Sequence, residues 1–228
     1  MRMRQHRLAA SERREAIMRA VRDVFAEKGF EATTTRELAK AAGVSEALLY
    51  RHFPSKESLY TAMCQACLTG KTAEEYKQIL ALEPSSSTLV LLTHFLVRKM
   101  VFEMTKDKNS MDLLVVRSLL GNGDFIRAKH KGLGSAWHQK FRDSVAVAAK
   151  AGEMSQPMPA GLASWMAQAV GLGMMLYLRP SQPVVDFELS RPEITERCVR
   201  FVLLGIGLKA EIINKHYNAK ALALLGLG

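Results

Sequence analysis

Cysteine is scarce in this 228-residue chain: three occur, Cys64, Cys67 and Cys198. That is too few for a disulfide framework in a chain of this length and suits a reducing compartment. The N-terminal residues include arginines but no apolar stretch of the kind a secretory signal needs, so a cytoplasmic location is expected. No run of alternating β-branched residues is long enough to build a sheet. The sequence also lacks a G-x-S-x-G elbow, an H-E-x-x-H pair and a phosphate-binding glycine loop. An enzyme would have to assemble its site from scattered residues, so no catalytic residue, cofactor or metal site is expected. Cys64 and Cys67 stand three apart, with no second Cys or His pair at metal-ligand spacing. Packing therefore accounts for them better than redox or metal chemistry. Neither an internal repeat nor a low-complexity segment is present.

What is present is helical. Hydrophobic residues make up 48% of the chain, and Ala, Leu, Met, Glu and Lys recur at helical spacing, which predicts an all-α fold. The length suits one large domain or a small domain fused to a larger one. A net charge of +10 and a pI near 9.7 favour an anionic partner. Residues 1–22 hold seven arginines against two glutamates, and residues 1–10 are read as a basic arm, although such tails are often only solvated. The uncharged stretch 159–178 has about the length of a bilayer span. Gln168, Ser164 and several Gly and Ala dilute it, no second such segment accompanies it, and a soluble protein with no membrane partner is expected.

The first 70 residues divide into short helices with distinct signals. Ser11 can cap a helix whose Ile17, Ala20, Val21, Val24 and Phe25 form one apolar face. Gly29 ends it, with Phe30 folding back. Thr34-Thr35-Arg36-Glu37 is a capping box, and the helix it opens lasts to about Ala42. Gly43 then supplies a turn, Val44 packs inward, and Ser45 caps a helix that Pro54 stops. Ser55 caps a fourth helix reaching about Leu68. Beyond residue 70 the helices lengthen, with breaks at 83–88, 121–124, 152–161 and 179–192. The expected organisation is an arm over 1–10, a small domain over 11–69 and a larger helical domain over 70–228.

Two short helices joined by a four-residue turn containing Gly form a helix-turn-helix, whose second helix enters the DNA major groove. Gly29-Phe30, Thr34-Thr35, Leu38-Ala39, Ala42-Gly43-Val44-Ser45, Leu49-Tyr50, His52-Phe53 and Ser55-Lys56-Glu57 together resemble the TetR family of bacterial transcriptional regulators over roughly residues 13–60. The resemblance implies an all-helical homodimer with an N-terminal DNA-binding domain and a C-terminal ligand-binding and dimerisation domain. It further implies repression of transcription until a small molecule binds. Carried over by position, Thr34, Thr35, Tyr50 and Lys56 would hold phosphates. Ser45, Glu46, Ala47, Leu48, Arg51 and His52 would read bases, with Arg36 reaching in from the preceding helix. An arginine can grip guanine with two hydrogen bonds and Glu46 can accept from cytosine N4. Ala47 and Leu48 depart from the family's common Gly-Thr, which puts a phosphate contact at Leu48 in doubt. Plainer roles stay open: Thr34 as a cap, Arg36 and Arg51 as solvated charges, His52 as a brace within the domain.

A single recognition helix touches few bases, so a dimer reading a palindromic operator is expected. Its interface is assigned to helices near 160–178, where Ala163, Ala167 and Gly171, and also Ala169 and Gly173, recur at close-approach spacing, and near 193–214, with Val199, Val202, Leu203 and Ile206 as an apolar stripe. The alternative places the 160–178 helix at the centre of the monomer. An effector pocket is expected among Phe95, Met100, Phe102, Met104, Met111, Trp137, Phe141 and Met166, each of which serves equally as ordinary core.

Overall fold

The structure is a computed structural model that describes residues 10–66, 71–103, 110–130, 134–180, 182 and 184–218. The basic arm over residues 1–9, Cys67 and Met104 lie outside the described residues. The fold is all-α, as expected: among the described residues there are helices and one isolated β-bridge, Met154 to Leu208. The helices are α1 (Ala10–Lys28), α2 (Thr35–Ala41), α3 (Glu46–His52), α4 (Lys56–Ala66), α5 (Lys71–Leu80) and α6 (Ser86–Arg98), the last running into a π-helical turn over Lys99–Glu103. After these come α7 (Ser110–Leu120), α8 (Asp124–Lys129), α9 (Ser135–Lys150), α10 (Ala160–Leu178), α11 (Arg191–Gly205) and α12 (Ala210–His216). The chain forms two compact units, one of residues 1–70 with 109–131 and one of residues 71–108 with 132–228. Helices α7 and α8, which lie in the stretch expected to form the larger domain, thus pack with the first unit.

Within the first unit, α1 buries Ile17, Val21, Phe25 and Ala26 at helical spacing. Gly29 ends the helix at a φ of +80°, its N–H donating to Phe25 O at 2.8 Å. The helix already includes Ala10 and Ser11, so Ser11 sits in the first turn and not at the cap. Phe25 is fully buried, edge-on to Tyr60 at 5.0 Å and stacked on Phe30 at 6.1 Å. Tyr60 also meets Phe125 of α8 at 6.2 Å, and the second chain segment joins this core with α7 packed on α1 and α8 on α4. Truncating a ring as enclosed as Phe25 removes about 3–5 kcal/mol.

The larger unit is organised round α6, which buries ten of its thirteen residues, because a helix apolar on every side has to lie inside. Helices α9, α10 and α11 all pack on it. The π-helical turn that follows α6 is tied to α11 by the Arg191 guanidinium, which donates to Val101 O. Of the eight residues expected to form an effector pocket, Phe95, Met100, Trp137 and Phe141 are buried, with Trp137 and Phe141 rings 5.1 Å apart and Phe95 edge-on to Tyr76 at 5.2 Å. Phe102 is half-buried. Met111 lies on α7 in the other unit, and its side chain is outside the described residues. Met166 is 43% exposed on the outer face of α10, not turned into an interior pocket.

Helix α10 is long and apolar enough to cross a membrane by length and composition alone. In the larger unit it buries Ala163, Ser164, Ala167, Gly171, Met175 and Leu178. An added Cβ on Gly171 would stand 2.5 Å from Met100 Sδ, so the small residues along this face admit α6 and its π-helical turn, not a second subunit. In the same way Val199, Val202, Leu203 and Ile206, expected at an interface, are buried inside this unit. Both helices are apolar on two faces, and periodicity alone does not say which face meets the monomer's own core.

Candidate nucleic-acid interface

Helices α2 and α3 have seven residues each, too short to persist alone, so caps and shared packing hold them. At α2, Glu37 N–H donates to Thr34 Oγ1 at 3.3 Å, and Glu37 Oε2 accepts from Thr34 N–H and from the Thr34 hydroxyl, both at 2.9 Å. The other Glu37 oxygen pairs with Lys28 Nζ at the end of α1. The Lys28 hydrogen bond, followed by the Thr34 bonds, holds the Glu37 carboxyl down at about 2, and the same pairing raises Lys28. A carboxyl depressed in the folded state stabilises it above its ordinary value of 4.5 and loses that contribution as pH falls toward the depressed value. Glu37→Gln is therefore expected to flatten the acid side of the stability curve between about pH 4.5 and 2, measured by thermal melting of both proteins across that range. The groups are solvated, so the effect is modest.

The turn follows the sequence closely. Gly43 takes a φ of +63°, Val44 N–H donates to Ala39 O at 3.0 Å, and Ser45 Oγ accepts from Leu48 N–H at 3.2 Å. Helix α3 turns Leu49 inward, as does Phe53 at its C-cap, both buried. Ser45, Glu46, Ala47, Tyr50 and Arg51 are exposed, with Leu48 and His52 half-buried. Arg36 is exposed on α2. The turn thus presents a small-residue surface flanked by two arginines, with the Tyr50 ring 44% exposed.

Several expected contact residues already have partners. Lys56 Nζ donates to Phe30 O at 2.9 Å and Thr33 O at 3.1 Å, and lies 4.3 Å from the Phe30 ring centroid. It clamps the loop between α1 and α2, which leaves one of its three N–H donors. The Thr34 hydroxyl is engaged in the capping box, and the Thr35 hydroxyl donates to Glu46 Oε2 at 3.0 Å. Sequence reasoning missed Arg14, counted only among the charges near the N-terminus. Its Nη1 donates to His52 O at 2.5 Å and its guanidinium lies 4.1 Å from the Phe53 ring centroid, so it caps the C-terminus of α3. The only hint in the sequence is that Arg14 and Ile17 are three apart on one helix.

Among the described residues no group of three or more His, Cys, Asp or Glu side chains is placed to hold a metal ion. Comparison with known proteins gives the same reading of the first unit. The family described as bacterial regulatory proteins, tetR family, matches residues 17–63, which contain the whole turn. The transcriptional activator FasR of Mycolicibacterium smegmatis is 44% identical over 60 residues, covering 26% of this chain and 27% of FasR. The transcriptional repressor KstR2 of the same organism is 27% identical over 139 residues, 59% of this chain and 65% of KstR2. The matched stretches thus span less than two thirds of these relatives. The solved structure of AibR with isovaleryl coenzyme A and operator DNA superposes with a TM-score of 0.61 at 16% identity, covering 83% of this chain and 97% of AibR. That last likeness concerns the fold, which extends over both units. Residues 17–63, which hold the turn, thus match the tetR family, and the likeness to AibR beyond them is one of fold.

Proposed function

We propose that this protein is a sequence-specific DNA-binding transcriptional regulator. Acting as a homodimer, it represses transcription from a palindromic operator and releases the DNA when a small molecule binds the larger unit. The observation that carries this reading is the exposure of Ser45, Glu46, Ala47, Tyr50 and Arg51 on α3, with Arg36 on α2, while Leu49 and Phe53 anchor the other side. A helix held this way can enter a major groove about 12 Å wide. Selection from random duplex DNA at near-physiological salt tests it, because salt suppresses purely electrostatic association. The expected result is a palindrome that the Arg36→Ala/Tyr50→Ala variant no longer enriches. If the intact protein enriches no sequence, the reading fails.

The self-interface is assigned to the outer face of α10 and α11. Leu162, Trp165, Met166, Leu176 and Tyr177 are each 43–52% exposed along α10, and Phe201 and Leu204 are 67% and 52% exposed on α11. The α10 residues fall in one helical stripe that includes exposed Ala169 and half-buried Gly173. An apolar strip of this kind marks an interaction site, and the small residues let a partner helix approach. Half-sites then lie about 34 Å apart, one helical turn of DNA.

Both directions of control occur among the relatives, since FasR is called an activator and KstR2 a repressor. Repression relieved by ligand requires the effector to bind the DNA-free geometry more tightly. A tenfold loss of operator affinity needs about 1.4 kcal/mol of difference, and DNA must weaken the ligand by the same factor. The effector proposed is a molecule with an apolar portion held among the helices of the larger unit, with no chemical turnover. AibR, of the same fold, was solved with an acyl coenzyme A, which makes acyl thioesters the first compounds to screen. Unchanged operator affinity at saturating levels of a compound that binds would refute ligand-controlled release.

A further inference from the structure

Family resemblance gives Thr35 a phosphate, yet its hydroxyl points elsewhere. Thr35 opens α2 and Glu46 opens α3, and the Thr35 hydroxyl donates its single proton to Glu46 Oε2 at 3.0 Å. A hydroxyl has one donor, so Thr35 has none left for a phosphate oxygen, and its remaining lone pairs would repel one. Glu46 is exposed at the leading end of the recognition helix. Among the described residues no cation pairs with it, so its charge is not spent in a salt bridge. A carboxylate facing a polyanion weakens binding to every sequence alike, unless its free oxygen meets a donor on the DNA. In the major groove the cytosine N4 amino group is such a donor, and Glu is a residue that accepts from it.

Building on the DNA-binding reading above, we infer that Thr35 and Glu46 act as one base-reading unit. Thr35 is a positioning residue that fixes the Glu46 carboxylate across the turn. Oε1 of Glu46 then accepts from the N4 amino group of one cytosine in each half-site. The bond spans α2 and α3, so it fixes the carboxylate relative to both helices of the motif and not by a flexible side chain alone. Preorganisation of this kind sharpens discrimination by lowering the entropy lost on contact.

The test compares full-length wild type, Glu46→Gln and Thr35→Val in selection from random duplex DNA, followed by affinity measurements against salt concentration. Thr35→Val keeps the shape and removes only the hydroxyl, and melting curves of both variants check that the fold is intact. Wild type is expected to enrich cytosine at one symmetric position per half-site, by roughly five- to 150-fold over other bases. Glu46→Gln should shift that position toward adenine, which a glutamine amide can grip through N6 and N7. Thr35→Val should lower the cytosine preference at the same position and leave the salt dependence unchanged. A phosphate-holding Thr35 would instead weaken all sequences uniformly and leave the base preference at that position intact, and that outcome overturns the inference. An unchanged motif for Glu46→Gln overturns it as well, while the DNA-binding function stands. If wild type enriches nothing, the function proposed above fails and this inference with it.

Discussion

Phe201→Glu combined with Leu204→Glu is expected to convert the proposed dimer to a monomer and to lower affinity for a two-half-site operator by at least about a hundredfold. Both side chains are exposed on α11, at 67% and 52%, whereas the helix is anchored by Ile194, Val199, Val202 and Leu203 on its buried side. Glutamate is a good helix former, so the monomer's fold and melting temperature should change little. At a two-fold interface every substitution occurs twice. Four carboxylates would then be placed in an apolar contact, where losing water costs free energy. Once the subunits part, the second half-site is no longer bound intramolecularly, and the factor of about 10²–10⁴ that such linkage contributes is lost. Sedimentation velocity reads the mass, and fluorescence anisotropy on full and single half-site duplexes reads the affinity. An intact dimer after both substitutions would place the interface on another surface. A monomer that kept full operator affinity would separate dimerisation from DNA reading.

The helix-turn-helix was legible because its signals are local. Thr34, Glu37, Gly43, Ser45 and Pro54 each act through backbone atoms a few residues away, and the capping box, the positive φ and the helix ends follow from them. Partners at long range were not legible. Nothing near Lys56 in the sequence says that its ammonium clamps Phe30 O and Thr33 O, 26 and 23 residues back, or that Arg14 holds the carbonyl of His52, 38 residues on. The same limit explains the larger unit. Val199, Val202, Leu203 and Ile206 form an apolar stripe in the sequence, but so do Phe201 and Leu204 beside them, and only packing against α6 decides which is core. Met166 illustrates the error that results: a flexible apolar side chain suits a pocket and an outer contact face equally well. The helical pattern of α7 likewise carries no information about which unit it packs on.

Gly207→Ala is expected to cost about 4 kcal/mol, the sum of roughly 1–3 for the backbone conformation and roughly 1–3 for forced overpacking. Gly207 has a φ of +101°, and a Cβ there would stand 2.3 Å from Gln156 O and 2.7 Å from Gln156 C. These are backbone atoms, which no change of rotamer removes. The contact is close because the two segments are clipped together. Ser155 N–H donates to Gly207 O at 2.8 Å, Met158 N–H to Ile206 O at 3.1 Å and Lys209 N–H to Glu153 O at 3.0 Å. This clip fixes the start of α10 against the end of α11, the two helices that carry the proposed dimer face. Gly152→Ala is the matched control: Gly152 has a φ of +70°, but no atom lies within 4 Å of its added Cβ. Conformation alone should cost about 1 kcal/mol there, so denaturant unfolding of the two variants separates strain from collision. The excess at Gly207 measures how firmly the 152–158 loop is held. Equal losses at the two positions would mean that the loop yields to the added methyl, so that the start of α10 can shift relative to α11 at little cost.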